Sequence, residues 1–310
     1  MKSVRDMGVV EKNAKPGRQQ TSFGAIAVTP MPSLEELAAF YAKTYYQDTP
    51  SVTYQGQYSE NELDQKRMRA KLLLYAVERV QSHFSGQSRF LEVGCGEGFV
   101  LQAAVQNGYE VCGVDFSDFG LSKFHPELRN FLQTGDACQV LGVMIANGAC
   151  YDVCVLQNVL EHVREPKALL EQVYKVMDLD SVAIVTVPND FSRLQKKALE
   201  IGIVDHEYWF LPPQHLHYFD VDTARQFVTE CGFEVLDAFG DFPIEFFLYH
   251  PGSNYVANRE NGRAAHEARL QLDLLLAERG IPSYYAFCQA LSGCGVGRNV
   301  SLVIRKNGNG

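Results

Sequence analysis

Two histidines set two residues apart, His215 and His217, lie in the run Pro212-Pro-Gln-His-Leu-His-Tyr-Phe219. An imidazole titrates near neutrality, which suits it to taking a proton from a nucleophile such as a hydroxyl. A second polar group is Asn158, Glu161 and His162, spaced i, i+3 and i+4 as on one face of a helix. A third is the turn Glu92-Val-Gly94-Cys-Gly96-Glu-Gly98, which follows the apolar residues Phe90 and Leu91. Glycine at alternate positions permits positive φ and leaves no Cβ in the way, so a ligand can lie directly on the backbone. The G-x-G-x-G spacing is neither the G-x-G-x-x-G of dinucleotide sites nor the G-x-x-x-x-G-K of phosphate loops. Glu92 at the strand end suits a cationic or hydroxyl-rich ligand better than a phosphate.

These residues need elements to hold them. An apolar run, a glycine turn and the periodic segment Phe99, Val100, Ala103, Val105 read as strand, turn and helix. A second strand, Tyr109–Val114, ends in Asp115, about twenty residues past the turn. An acid there is placed to accept both ribose hydroxyls of an adenosine ligand. A third element ends at Gly135-Asp136-Ala137, where a carboxylate can accept from the exocyclic amine of adenine. A fourth strand, Tyr151–Leu156, leads into Gln157-Asn-Val-Leu-Glu161-His162, read as the start of a helix. A fifth, Val182–Val187, ends at Pro188-Asn189. Strands alternating with helices predict a parallel sheet covered on both faces.

From about residue 88 to 190 the chain resembles a class I S-adenosylmethionine-dependent methyltransferase, including those acting on sugars and small molecules and the ubiquinone-type O-methyltransferases. Its L-E-V-G-C-G-E-G, V-D-F-S, G-D-A, L-Q-N-V-L-E-H-V and T-V-P-N blocks follow that family's order. The resemblance implies S-adenosylmethionine as cofactor. It implies Glu92, Gly94 and Gly96 around the methionine part, Asp115 on the ribose and Phe116 against the adenine. It puts Asp136 and Ala137 at the adenine edge and Gln157 beside the sulfonium. It further implies a doubly wound, mostly parallel seven-stranded sheet closed by a two-strand hairpin, with Asn299–Ile304 as the last, antiparallel strand. The ubiquinone-type enzymes carry a glutamate where this chain has Asn158, and a metal is implicated there. That departure leads to the expectation of no metal here, with Glu161 and His162 as structural or cofactor-adjacent residues.

A chain of 310 residues, 46% hydrophobic, accommodates one large domain with additions. The net charge of −9, without an extended basic run, argues against a nucleic-acid substrate. No segment offers eighteen consecutive apolar residues, so neither a membrane span nor a secretory signal is expected. Eight cysteines without a C-x-x-C pair point to a reducing, cytoplasmic setting.

The expected organisation is a flexible tail over 1–30, a helical cap over 31–87, a core over 88–240 and 298–306, and a helical insertion over 241–297. Ser33 and Glu36 mark a helix start, and a long helix is expected from Glu60 to His83. The insertion is a lid, a substrate wall or a dimer surface, so a homodimer is among the assemblies it allows. Tyr41, Tyr45, Tyr46, Tyr54 and Tyr58 either cover the cofactor or pack their own helix. Asp205-His-Glu-Tyr-Trp-Phe210 either walls a substrate pocket or packs half-buried, and Gly293–Arg298 reads as a turn. The expected function is methyl transfer to a small-molecule or glycan-precursor acceptor, at a hydroxyl, with His215 (and less so His217) as general base. The alternatives are an RNA or protein methyltransferase, or an inactive cofactor-binding subunit that stabilises a partner.

Overall fold

A computed structural model describes residues 16–37, 39–40, 58–81 and 88–308. Its centre is a seven-stranded sheet built from β3 (Arg89–Val93), β4 (Glu110–Asp115), β5 (Leu132–Thr134), β6 (Tyr151–Gln157), β7 (Met177–Pro188), β9 (Phe233–Gly240) and β10 (Asn299–Lys306). The order across the sheet is β5-β4-β3-β6-β7-β10-β9. Strands β5 to β7 are parallel, and β10 runs antiparallel to both β7 and β9. This is the expected doubly wound sheet with its closing hairpin. The chain runs outward from β3 through β4 to β5 and then crosses back to β6 on the other side of β3, so the order reverses beside β3. Ligands of open α/β sheets bind in the crevice at the carboxyl ends of strands at such a point.

Helix α1 (Glu60–Val80) opens with a capping box from Ser59 and Glu62, which satisfies amide donors the first turn would otherwise leave bare. Its apolar face, with α2 (Phe99–Gln106), covers one side of the sheet around Phe90, Val153 and Ile184. The other side is covered by α4 (Ala137–Ala146), α5 (Pro166–Val176) and α7 (Val221–Glu230), against Leu91, Leu156 and Val185. Phe90 and Leu91 are fully buried on opposite faces; each burial contributes about 1.5–3 kcal/mol. Two more helices, α3 (Phe119–Phe124) and α6 (Arg193–Glu200), follow β4 and β7. Between β9 and β10, α8 (Asn261–Ala277) and α9 (Ile281–Gly293) form the helical insertion. They are tied to α1 by buried Asp273, which accepts from Gln65 and from the Tyr284 hydroxyl.

The amino terminus departs from expectation. Residues 17–29 belong to the segment expected as flexible tail, yet β1 (Gly17–Gln20) and β2 (Ile26–Thr29) form a hairpin. With β8 (His217–Tyr218) they make a second, three-stranded sheet. The reason is apolar: Phe23 packs on Phe219 and Phe227, with centroids 6.1 and 4.7 Å away, and Ala25, Ala27 and Val28 are buried. The fully exposed β1, Gly-Arg-Gln-Gln, masks this in the sequence. The capping pair Ser33 and Glu36 forms as expected. Tyr41, Tyr45, Tyr46 and Tyr54 lie outside the described residues.

Candidate active site

The glycine turn sits at the carboxyl end of β3, with positive φ at Gly94, Gly96 and Gly98. At Gly94 a Cβ would meet Val159 at 2.4 Å, so the turn is closed against the segment after β6 as well as conformationally restricted. Asp115, ending β4, turns toward the turn: Oδ2 accepts from the Gly96 amide at 2.8 Å and Oδ1 from the Ser117 amide at 3.1 Å. Glu92 is buried and accepts from the Leu101 amide in the first turn of α2 at 3.1 Å. Burial, with Asp115 nearby, pushes its carboxyl well above the usual range. Phe116 is 74% exposed, a large ring left in water beside the turn. Asp136 caps α4 through the Gln139 amide at 3.0 Å, and Ala137 opens that helix. Gln157 ends β6. Every residue expected to touch the cofactor therefore lies at the carboxyl ends of β3 to β6 or on the connection leaving one of those ends.

The second half of the site lies one step along the sheet, beyond β6 and β7. Glu161 and His162 were expected on a helix; instead residues 158–164 form a turn and α5 begins only at Pro166. Asn158 adopts φ 51°, which breaks helical continuity. The loop 211–216 is bound to this turn: His162 Nδ1 lies 2.7 Å from the Gln214 carbonyl, and the Leu216 amide donates to the Glu161 carbonyl at 2.7 Å. His215 is thereby set against His162, with ring centroids 5.0 Å apart. The Val28 amide donates to the Leu216 carbonyl at 3.0 Å, so the amino-terminal hairpin braces the same loop.

The two candidate histidines are in different surroundings. His215 lies on the loop with its side chain 12% exposed, and its Nδ1 is 3.5 Å from Asp190 Oδ2. His217 is inside β8, 5% exposed, and burial pushes its pKa down to about 4. His217 reads as a core residue of the small sheet.

Asp190 and Arg298 were missed in the sequence. Asp190 follows β7 by two residues, and Arg298 NH1 donates to its Oδ1 at 2.9 Å. Arg298 ends the Gly293–Arg298 run taken as a plain turn, and only the pairing of β10 with β7 brings it to Asp190. Asp205 and His206 pair with one another at the exposed surface, whereas Trp209 is buried with Val204 and Leu248.

The carboxylate lost at Asn158 was expected to leave no ligand cluster here, but Glu161, His162 and His215 offer ligand atoms that all lie within 4.8 Å of one another. Both carboxylate oxygens of Glu161 are buried without a hydrogen-bond partner. Burial raises its pKa to about 8 and lowers that of His162 to about 4. A buried carboxyl group without a hydrogen-bond partner beside two imidazoles is a donor set that fits a divalent cation.

Comparison with known proteins follows the same lines. Residues 61–238 match a family profile described as a methyltransferase domain. The ubiquinone biosynthesis O-methyltransferase of Coxiella burnetii (strain Dugway 5J108-111) is 27% identical over 172 residues, spanning 53% of this chain and 68% of that protein. The protein of the same name from Rickettsia canadensis (strain McKiel) is 24% identical over 183 residues, 54% of this chain and 72% of that one. Among solved structures, a SAM dependent methyltransferase from Archaeoglobus fulgidus aligns with a TM-score of 0.46 and 19% identity, covering 80% of this chain and 100% of that chain.

Proposed function

This chain belongs to the methyltransferase-domain family, and on that premise we propose that it methylates a hydroxyl of a small-molecule or glycan-precursor acceptor, with His215 as general base. The chain is a class I S-adenosylmethionine-dependent methyltransferase. In our reading Glu92, Gly94 and Gly96 surround the methionine moiety, and Asp115 takes the ribose hydroxyls. Phe116 covers the adenine, Asp136 and Ala137 border it, and Gln157 lies beside the sulfonium. Exposed Phe116 supports this, since an adenine laid on it would remove the ring from water. So does Asp115, whose two backbone hydrogen bonds orient the carboxylate at the turn.

The observation that carries the acceptor chemistry is the place of His215. It stands between Asp190, two residues past β7, and His162, in the turn that follows β6. Methyl transfer from a sulfonium is an in-line displacement whose chemistry the cofactor supplies. The protein aligns the acceptor, and a base typically adds about 10²–10⁴-fold for a hydroxyl. The matched ubiquinone biosynthesis O-methyltransferases favour a phenolic or quinol hydroxyl among candidates. Among the described residues no helix is long and apolar enough to cross a membrane.

The unpartnered Glu161 carboxylate favours a second reading, in which Glu161, His162 and His215 hold a divalent cation that activates the hydroxyl as a Lewis acid. The test of the main reading is a mass-shift screen with trideuteromethyl-labelled cofactor against quinols, phenols and nucleotide sugars. Label on a hydroxyl supports it; label only on amine nitrogens, RNA or protein overturns it.

A further inference from the structure

Asp190 is 1% exposed, and each of its oxygens has a separate task. Oδ1 accepts from Arg298 NH1 at 2.9 Å, while Oδ2 faces His215 Nδ1 at 3.5 Å. Arg298 is itself held from two sides: its carbonyl accepts from the Asn189 amide at 2.9 Å, and its Nε lies 3.6 Å from Glu245. The guanidinium thus reaches Asp190 from a fixed strand end. Burial alone would raise the Asp190 pKa, but Arg298 and His215 hold it below the usual carboxylate range. An ionised carboxylate in a dry place, aimed at one nitrogen of an imidazole, acts on that ring's tautomer and orientation.

We propose that Asp190, clamped by Arg298, is the positioning residue for His215, keeping the neutral ring protonated on Nδ1 and leaving Nε2 free to accept a proton. The proposal rests on the reading of His215 as general base. In the reaction the acceptor O–H bond breaks and its proton passes to Nε2. The oxygen lone pair forms the bond to the methyl carbon, and the carbon–sulfur pair stays on sulfur, giving a neutral thioether. Asp190 gains no proton; it offsets the positive charge that appears on His215. The remaining contacts of the residue complete the aim. His162 packs edge-to-face on the ring, and the Tyr218 hydroxyl donates to the His215 carbonyl at 3.0 Å.

The test reads the tautomer directly, by long-range proton–nitrogen correlation spectra of ¹⁵N-histidine-labelled protein. Spectra are taken about two pH units above the ordinary imidazole pKa, with His215 assigned by its loss in His215→Gln. Wild-type His215 should be the Nδ1–H tautomer, and Asp190→Asn should shift it toward Nε2–H. With the acceptor returned by the label screen, Asp190→Asn should lower kcat about 10–100-fold with KM for the cofactor unchanged, and Asp190→Glu should recover part of it. An Nε2–H tautomer in the wild type overturns the proposal without any variant, so a poorly folding Asp190→Asn does not protect it. An unchanged tautomer and kcat in Asp190→Asn also overturn it. Normal turnover in His215→Ala together with a tautomer that still follows Asp190 would remove the base and leave the positioning contact standing.

Discussion

His162 and His215 meet with ring centroids 5.0 Å apart and planes 79° apart, though 53 residues separate them in sequence. One comes from the turn after β6, the other from the loop before β8; the His162 side chain on the Gln214 carbonyl and the Leu216 amide on the Glu161 carbonyl hold the two segments together. The site is therefore a junction of two halves. In the proposed reading the cofactor half is local to β3–β6, and the acceptor half is assembled from segments distant in sequence.

The cofactor half predicts a binding defect from a single side chain. Gly96 has φ 51° and donates its amide to Asp115. Gly96→Val adds a Cβ where the proposed cofactor position meets the backbone, and β-branched residues strain at positive φ by about 1–3 kcal/mol. Calorimetry should show wild-type binding of S-adenosylmethionine in the micromolar range, around −8 kcal/mol, and none for Gly96→Val. Asp115→Asn should weaken binding by about tenfold or more, through loss of a charged acceptor. Tight NAD binding without S-adenosylmethionine binding would contradict this.

Acid stability should be governed by two histidines. Burial holds His162 and His217 down to about 4, against about 6.5 in the unfolded chain. The unfolded state binds protons first, so their contribution is fully present above about pH 6.5 and is lost as pH falls toward 4. The shift corresponds to at most about 3 kcal/mol for each ring. Urea unfolding across this range should show the decline, and His217→Leu should flatten it by about one proton. A His217→Leu slope equal to wild type would refute the assignment.

Glu161 gives the opposite limb. Its pKa is raised to about 8, so the stability tied to its protonated form is present below about pH 4.5 and lost as pH rises through 8. Glu161→Gln should therefore gain on wild type between neutral and alkaline pH. A bound cation would require the carboxylate and reverse this. Turnover is expected to survive dialysis against EDTA, because the acceptor's proton goes to His215. Loss of turnover restored by magnesium or manganese would assign His215 to the metal and favour the second reading.

How far the sequence reveals the molecule follows from the same division. The turn Gly94–Gly98, Asp115 and Gln157 each stand at the end of a short, largely apolar strand, and Asp136 follows Gly135 just past Leu132–Thr134; period and punctuation are local signals. The partnership of Asp190 with Arg298 depends on the antiparallel pairing of β10 with β7 across an insertion of about sixty residues, and that of Asp190 with His215 on the docking of loop 211–216 against the turn after β6. No local pattern encodes that. The hairpin at residues 17–29 was hidden similarly, because β1 is polar throughout and its partners lie near residues 217–227. Glu161 and His162 were read onto a helix because their spacing fits one, while Asn158 in a left-handed conformation makes a turn there.

The central claim is tested most directly by transfer from trideuteromethyl-labelled cofactor to a hydroxyl acceptor, compared between wild type and His215→Ala. The account predicts a labelled ether product, a fall in kcat of at least about a hundredfold in His215→Ala, and cofactor affinity within about twofold of wild type. Near-normal turnover of the same hydroxyl acceptor by His215→Ala would contradict it.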